Sequence, residues 1–396
     1  MKKFLALVLA LVMVLSLAAC GEKKADNKNF KLGVILLHDE ASTYDLNFIN
    51  GVKDAAKALG LSDDQVIYKR NIEEGDACYE AAADLVDQGC KVVFADSFGH
   101  ETYLLKAAKE FKNVQFCHAT GTMAHTEKLD NFHNAFASIY EGRYLAGVAA
   151  GMKLKEMMAA DSSVKPHIGY VGAFTYAEVI SGYTSFYLGV KSIVPEVTMD
   201  VQFTGSWYDE IEEKNAAAAL IDNGCVLISQ HADSMGAPSV CEERNVPNVS
   251  YNGSTVNSCP NTFIVSSRID WSPYFQYICK QTMEGKAIDT DWTGTIATGS
   301  VVLTDVNTKA AAAGTADKIK EVKAQLENGS LKVFNTANFT VEGAALSSYM
   351  ADVDTDDAFT PDTEAVKDGF FHESEYRSAP YFNVNVDGIN CLNAKY

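Results

Sequence analysis

The side chains that could do chemistry cluster in short segments, each directly after a strand-like run. These are His38-Asp39 through Tyr44-Asp45, Asp96-Ser97-Phe98-Gly99, His118-Ala119-Thr120-Gly121 and Gly172-Ala173-Phe174. Further along come Gly205-Ser206-Trp207, His231-Ala232-Asp233-Ser234, Asn252-Gly253-Ser254 and Arg268-Ile269-Asp270-Trp271. They hold one arginine and no lysine. A phosphate or carboxylate ligand would need bidentate arginine or a glycine-rich helix start. A flat, polar, uncharged ligand needs aromatic rings above and below and short polar groups at its edge. The rings on offer are Tyr44, Phe98, Phe174, Trp207 and Trp271; the polar groups are Asp45, Ser97, His231, Asp233, Asn252 and Asp270. This chemistry points to a nucleobase, a nucleoside or a sugar. Each residue also has a plain structural reading: Asp45 and Asp233 as helix N-caps, Phe98 and Phe174 as core, His231 as a satisfied buried histidine, Trp271 as a helix start before Pro273.

Catalysis and metals find less support. There is no G-x-S-x-G, H-E-x-x-H or G-x-x-x-x-G-K-[ST] motif. His231 and Asp233 could ligate a metal or relay a proton, but none of the eight histidines has helical ligand spacing. The nine cysteines show no C-x-x-C pair. No catalytic residue, metal or cofactor is therefore expected, and Cys117 and Cys225, inside apolar runs, read as buried reduced thiols.

The elements that must position these segments alternate. Lys31–Leu37 is a continuous apolar run, as buried parallel strands are. Helical spacing over Asn47–Leu59 stops at Gly60. Strands at Gln65–Tyr68, Lys91–Ala95 and Val114–Cys117 alternate with helices at Asp76–Gln88 and Glu101–Phe111. A second series follows, with strands at His167–Val171, Met199–Phe203, Cys225–Ser229, Val249–Tyr251 and Phe263–Val265, and helices at Gly142–Lys155, Glu178–Val194, Asp209–Asn223 and Pro273–Glu284. Such alternation implies an α/β fold of parallel sheets covered on both faces. Two series imply two doubly wound lobes: residues 30–125 plus 266–292 in one, 126–265 plus 293–396 in the other. Three crossings between them make a hinge and a cleft, and ligands gather at the carboxyl ends of such strands. The long segment after Ser330 is expected to pack on the second lobe.

The N-terminus sets the compartment. Lys2 and Lys3 precede an uncharged apolar run, Phe4–Leu15, which is too short to span a bilayer. Leu17-Ala18-Ala19-Cys20 then has the form of a lipobox, so residues 1–19 read as a lipoprotein signal peptide and Cys20 as the lipidated residue. Residues 20–29 read as a flexible tether. Loss of Lys2 and Lys3 takes the net charge from −19 to −21. That surface repels nucleic acid and anionic lipid, so no nucleic-acid partner is expected.

Longer segments carry a resemblance. Tyr140-Glu141-Gly142-Arg143-Tyr144-Leu145-Ala146-Gly147 is the most specific, joined by Ala95–Gly99, Gly169–Phe174 with Glu178–Gly182, Gln230–Ser234, and the ending His372-Glu373-Ser374 to Arg377–Phe382. On these the chain resembles the basic membrane protein (BMP/PnrA-like) family of substrate-binding lipoproteins of ABC transporters. The resemblance implies a type I periplasmic-binding-protein fold with two lobes joined by a hinge. It implies a purine nucleoside or free purine as ligand, an ABC permease and ATPase as partners, and no catalysis. Tyr44-Asp45 occupies the place of the family's aromatic–Asn pair. Asn252 and Ile269 stand where nucleoside binders carry an Asp and a Lys for the ribose, and Asp270-Trp271 resembles the subgroup that binds free bases such as adenine. The expected protein is a monomer anchored by lipid to the cell membrane, facing outward and closing by hinge motion around its ligand. The alternatives are a membrane-tethered sensor and an exported nucleoside-acting enzyme, the latter needing a general acid or base in the cleft.

Overall fold

The computed structural model describes residues 28–353, 358 and 360–394. The signal peptide, Cys20 and most of the tether lie outside the described residues. The first series runs β1 (Leu32–Ile35), α1 (Thr43–Leu59), β2 (Val66–Lys69), α2 (Asp76–Asp87), β3 (Val92–Ala95), α3 (Glu101–Glu110), β4 (Gln115–Ala119) and β5 (Phe132–Ala137). The second runs α4 (Ile139–Ala160), β6 (His167–Gly172), α5 (Ala177–Lys191), β7 (Thr198–Phe203), α6 (Glu210–Asp222), β8 (Ile228–His231), α7 (Gly236–Arg244), β9 (Asn248–Tyr251) and β10 (Phe263–Ile269). Then come α8 (Ser272–Met283), β11 (Asp291–Gly294), β12 (Val301–Leu303) and α9 (Thr315–Glu327).

The strands form two sheets, ordered β11-β5-β4-β3-β1-β2 and β12-β10-β9-β8-β6-β7. All pairs in the first are parallel. In the second only β12 runs antiparallel. A C-terminal strand, Ile389–Cys391, adds to the outer edge of the second sheet beside β7. This is the α/β, doubly wound parallel architecture that the alternation predicts.

The lobe boundaries shift from those expected. β5 pairs with β4 and belongs to the first sheet, so the chain leaves that lobe at Ser138 and not near residue 126. β5 was hidden because its run carries buried polar side chains. His133 bonds Gln115 Oε1 at 2.8 Å, and the Asn134 amide donates to Glu101 Oε1 at 2.9 Å. β10 stays in the second sheet to Ile269, so the return falls at Asp270–Trp271. β11 holds the chain in the first sheet to Gly294. The crossings are tied laterally: the Ser138 N–H donates to Gly294 O at 2.8 Å and the Asp270 N–H to Ser300 O at 2.7 Å.

Two large buried side chains set the lobes. Trp271, 1% exposed, stacks on Phe48 with ring centroids 4.4 Å apart. It pins α8 against α1, where a Cβ on Gly51 would come within 2.6 Å of the Trp271 Cβ. In the second lobe α4 and α5 approach so closely that a Cβ on Gly147 would strike the Phe186 carbonyl. From α4, the fully buried Arg143 reaches the sheet and donates to Tyr170 Oη at 2.5 Å and Gln230 O at 3.1 Å. The described cysteines are free; all are buried except the half-buried Cys391.

Candidate functional site

Both sheets point the carboxyl ends of their strands at one partly enclosed cleft. Leu37, His38, Tyr44, Ser97, Phe98 and Thr120 line it from the first lobe; Glu178, Trp207, His231 and Asp233 line it from the second. Among these lining residues there is no Lys or Arg.

Local chemistry places each side chain. Ser42 caps α1, its Oγ accepting the Asp45 N–H at 3.2 Å. The helix therefore starts earlier than its apolar spacing predicts, and Tyr44 enters its first turn facing the cleft. The Tyr44 hydroxyl donates to Asp96 O at 2.7 Å. Asp45 lies behind the wall, fully buried, and accepts the His38 N–H at 2.8 Å. It positions His38 and does not line the cleft. Burial works to raise the Asp45 carboxyl, yet hydrogen bonds from His38 and Ser42 hold it below the ordinary carboxylate range. Its neighbour Asp96 is pushed well above that range, by burial first and the Asp45 charge second. The opposed directions favour one charge on the pair over two. Ser97 Oγ donates to Glu74 Oε1 at 2.5 Å. His118, behind it, bonds Ser97 O at 2.7 Å, and burial lowers its pKa to about 4.

On the second wall Trp207 leads an aromatic group. Phe174 meets it edge-on at 5.0 Å and stacks on Tyr176, also at 5.0 Å, so Phe174 supports the wall from behind. Burial lowers the His231 pKa and Glu178 opposes this from 3.4 Å away. Asp233 is raised by burial first and then by the charges of Asp45, Glu213 and Glu178. Raised carboxyls keep their protons and can donate as well as accept.

The walls touch. Asp233 O accepts both the Thr43 N–H at 3.0 Å and the Thr43 hydroxyl at 3.3 Å. Phe98 and Tyr176 face each other at 5.3 Å, and His38 and Tyr208 at 5.4 Å. This is a closed arrangement of the lobes.

Of the residues singled out from sequence, Tyr44, Ser97, Phe98, Trp207, His231 and Asp233 converge on the cleft, with Asp45 and Phe174 just behind. The remaining three do not line it either. Asn252 follows β9 in the left-handed region (φ 64°), buried, with its Nδ2 unpartnered. Asp270 stands one residue before the α8 N-cap, Trp271, and accepts the Ser272 N–H at 3.0 Å. Trp271 is core: β10 ends where the chain crosses lobes, so the next residues turn into the first lobe. Sequence reasoning missed Leu37, His38, Thr120 and Glu178. His38 and Thr120 lie in the strand-end segments already picked out, and Leu37 closes the strand run just before the first of them. Glu178 sits in the first turn of α5, outside any strand-end rule.

The family model described as ABC transporter substrate-binding protein PnrA-like matches residues 34–332. A purine-binding protein of Brucella abortus is 33% identical over 233 residues, 59% of this chain and 63% of that protein. A putative ABC transporter glucose-binding protein of Haloferax volcanii is 31% identical over 204 residues, 51% of this chain and 49% of that protein. The chain thus spans about half to two thirds of the length of these relatives. A solved ABC solute-binding protein of Aeropyrum pernix superposes with a TM-score of 0.65 at 15% identity, covering 77% of this chain and 93% of that one. That likeness establishes the fold.

Proposed function

The chain belongs to the PnrA-like family of ABC transporter substrate-binding proteins, and from that premise we propose that it binds a purine, as base or nucleoside, and hands it to an import permease and its ATPase. The cleft carries the reading: Tyr44 and Trp207 offer ring faces from opposite lobes, while Ser97, Glu178, His231 and Asp233 offer hydrogen bonds without fixed positive charge. A purine has two ring faces to stack and an edge of N–H donors and ring-nitrogen acceptors, which protonated and ionised carboxyls can meet. The Brucella relative supports this ligand class. Loading is by lobe closure, and the Thr43–Asp233 bonds and the Phe98–Tyr176 contact are the latch. The reading is one of binding without turnover: the Ser97 hydroxyl is committed to Glu74 and not to a histidine base. Cys20 carries the lipid that holds the protein, as a monomer, on the outer face of the cell membrane. Among the described residues no helix is long and apolar enough to cross a membrane.

Thermal unfolding of the purified chain, refolded to remove carried-over ligand, tests the assignment against adenine, guanine, hypoxanthine, their ribosides, ribose and glucose. A ligand at 100 times its Kd adds about 2.7 kcal/mol of stability. A rise in Tm confined to purines is expected. A rise with glucose alone moves the protein to the sugar class that the Haloferax relative's name describes.

A further inference from the structure

A cluster of metal-binding side chains lies at the opposite end of the second sheet from the cleft. His167 opens β6, Asp200 lies in β7, and Cys225 stands in the turn before β8. One ligand atom from each lies within 4.8 Å of the other two. The register explains the meeting. His167 pairs with Thr198, so Asp200, two residues on, shares its face of the sheet as a diagonal neighbour. The Val226 N–H donates to His167 O at 2.9 Å and so draws Cys225 alongside.

We propose that His167 Nε2, Asp200 Oδ2 and Cys225 Sγ form a binding site for Zn²⁺. Imidazole, carboxylate and thiolate in one site suit a borderline-soft divalent ion, and water completes a tetrahedron. Bond lengths of about 2.0–2.3 Å put neighbouring ligand atoms roughly 3.5 Å apart. His167 Nε2 and Asp200 Oδ2 already stand 3.2 Å apart, so the remaining closure is a small side-chain adjustment. The supporting groups are in place. His167 Nδ1 lies 2.9 Å from Thr198 Oγ1, so that with a metal on Nε2 the Nδ1–H donates to this hydroxyl. The Asn390 amide donates to Asp200 Oδ1 at 3.1 Å, leaving Oδ2 for the ion. The His167 and Asp200 side chains are 24% and 13% exposed, which gives an ion a way in, while Cys225 is 2% exposed and shielded from oxidants. Coordination replaces the Cys225 S–H bond with a metal–sulfur bond and releases the proton. The ion would clamp the starts of three strands, and through Asn390 the C-terminal strand. The proposal is independent of the purine assignment.

Co²⁺ and Zn²⁺, added to the purified tag-free chain after chelator treatment, test it. The expected result is one equivalent bound, a thiolate-to-cobalt charge-transfer band displaced by Zn²⁺, and a higher Tm with the metal. Cys225→Ser removes the band. Thr198→Val, at an exposed position that ligates nothing, weakens binding by about tenfold or more, as loss of an outer hydrogen bond does, and leaves the metal-free Tm unchanged. No bound equivalent, or a band that survives Cys225→Ser and so belongs to another thiol, overturns the site. If Thr198→Val leaves the affinity unchanged, His167 is not the ligand and the proposal fails in its stated form.

Discussion

The two walls of the cleft differ in what stands behind them. Behind the first lies a pair of carboxyls, Asp45 and Asp96, with the buried histidines His100 and His118, whose pKa values burial lowers to about 4. Behind the second lies a cation. Arg143 is fully buried, yet its hydrogen bonds go to Tyr170, Ser229, Ser250 O, Gln230 O and Ser267, with the Tyr251 ring 4.7 Å away. None of these is a carboxylate. The arginine in the most recognisable sequence segment thus braces strands of the second sheet and does not face the ligand. The site stays free of fixed positive charge although a guanidinium lies directly behind it. Its charge reaches the wall at His231, where it adds to burial in lowering the pKa.

The largest effects should come from breaking these two cores. Trp271→Ala empties the contact with Phe48, Phe94 and Phe136 and is expected to cost about 3–5 kcal/mol. Arg143→Met keeps the volume but leaves Tyr170, Ser229 and Gln230 O without their donor, at a cost of about 3 kcal/mol. Urea unfolding followed by circular dichroism measures both. A loss below about 1 kcal/mol for Trp271→Ala would be a surface value and would contradict its place in the core.

The same two residues show what a sequence can disclose. Apolar runs, glycine stops and alternation place most strands and helices to within a few residues, because buried parallel strands and capped helices leave local marks. β5 leaves none: His133 and Asn134 are satisfied by Gln115 and Glu101, partners far away in sequence. The strand-end rule found six wall residues, since in this fold the wall is made of strand ends. It failed at Trp271, where a strand end is also a lobe crossing, and at Glu178, which reaches the cleft from a helix. Arg143 was conspicuous in type and segment, but its role depends on hydroxyls and carbonyls from several strands that no spacing connects. The His167, Asp200 and Cys225 cluster is silent for the same reason, as each residue comes from a different strand or turn.

Trp207 and Trp271 then separate wall from core. If the purine reading holds, Trp207→Ala removes one stacking face and weakens ligand binding by about 1–3 kcal/mol, roughly a fivefold to 150-fold loss. Tyr44→Ala should act in the same direction on the opposite wall, with an added effect from the lost bond to Asp96 O. Titration calorimetry gives the Kd, and unfolding of the free protein gives the stability. Trp207→Ala should move the first far more than the second. Equal purine affinity in both variants and the parent would remove the stacking model while leaving the fold intact.

A further effect is on pH dependence, and it also divides the lobes. Glu213, in the second lobe, is pushed up to about 7, by burial first, against hydrogen bonds from Ser234 and Asp209. A carboxyl whose folded pKa lies above its unfolded value of 4.5 holds a proton that the unfolded chain gives up first. Its contribution to stability is complete below pH 4.5 and is lost as the pH rises through about 7. Asp233 beside it shifts the same way, so the two add. On the first wall the shifts oppose: Asp96 is raised, whereas Asp45 is lowered and stabilises only above the ordinary carboxylate range. Glu213→Gln, which keeps an acceptor for the Ser234 N–H, should therefore flatten the fall in stability between pH 4.5 and 7. Urea midpoints measured across that range give the slope. Asp96→Asn should flatten the curve too, and in addition expose the acid-side loss due to Asp45 that Asp96 partly offsets. An unchanged slope in Glu213→Gln would mean that this carboxyl is already ionised in the folded protein, and that the second wall carries more negative charge than its burial permits.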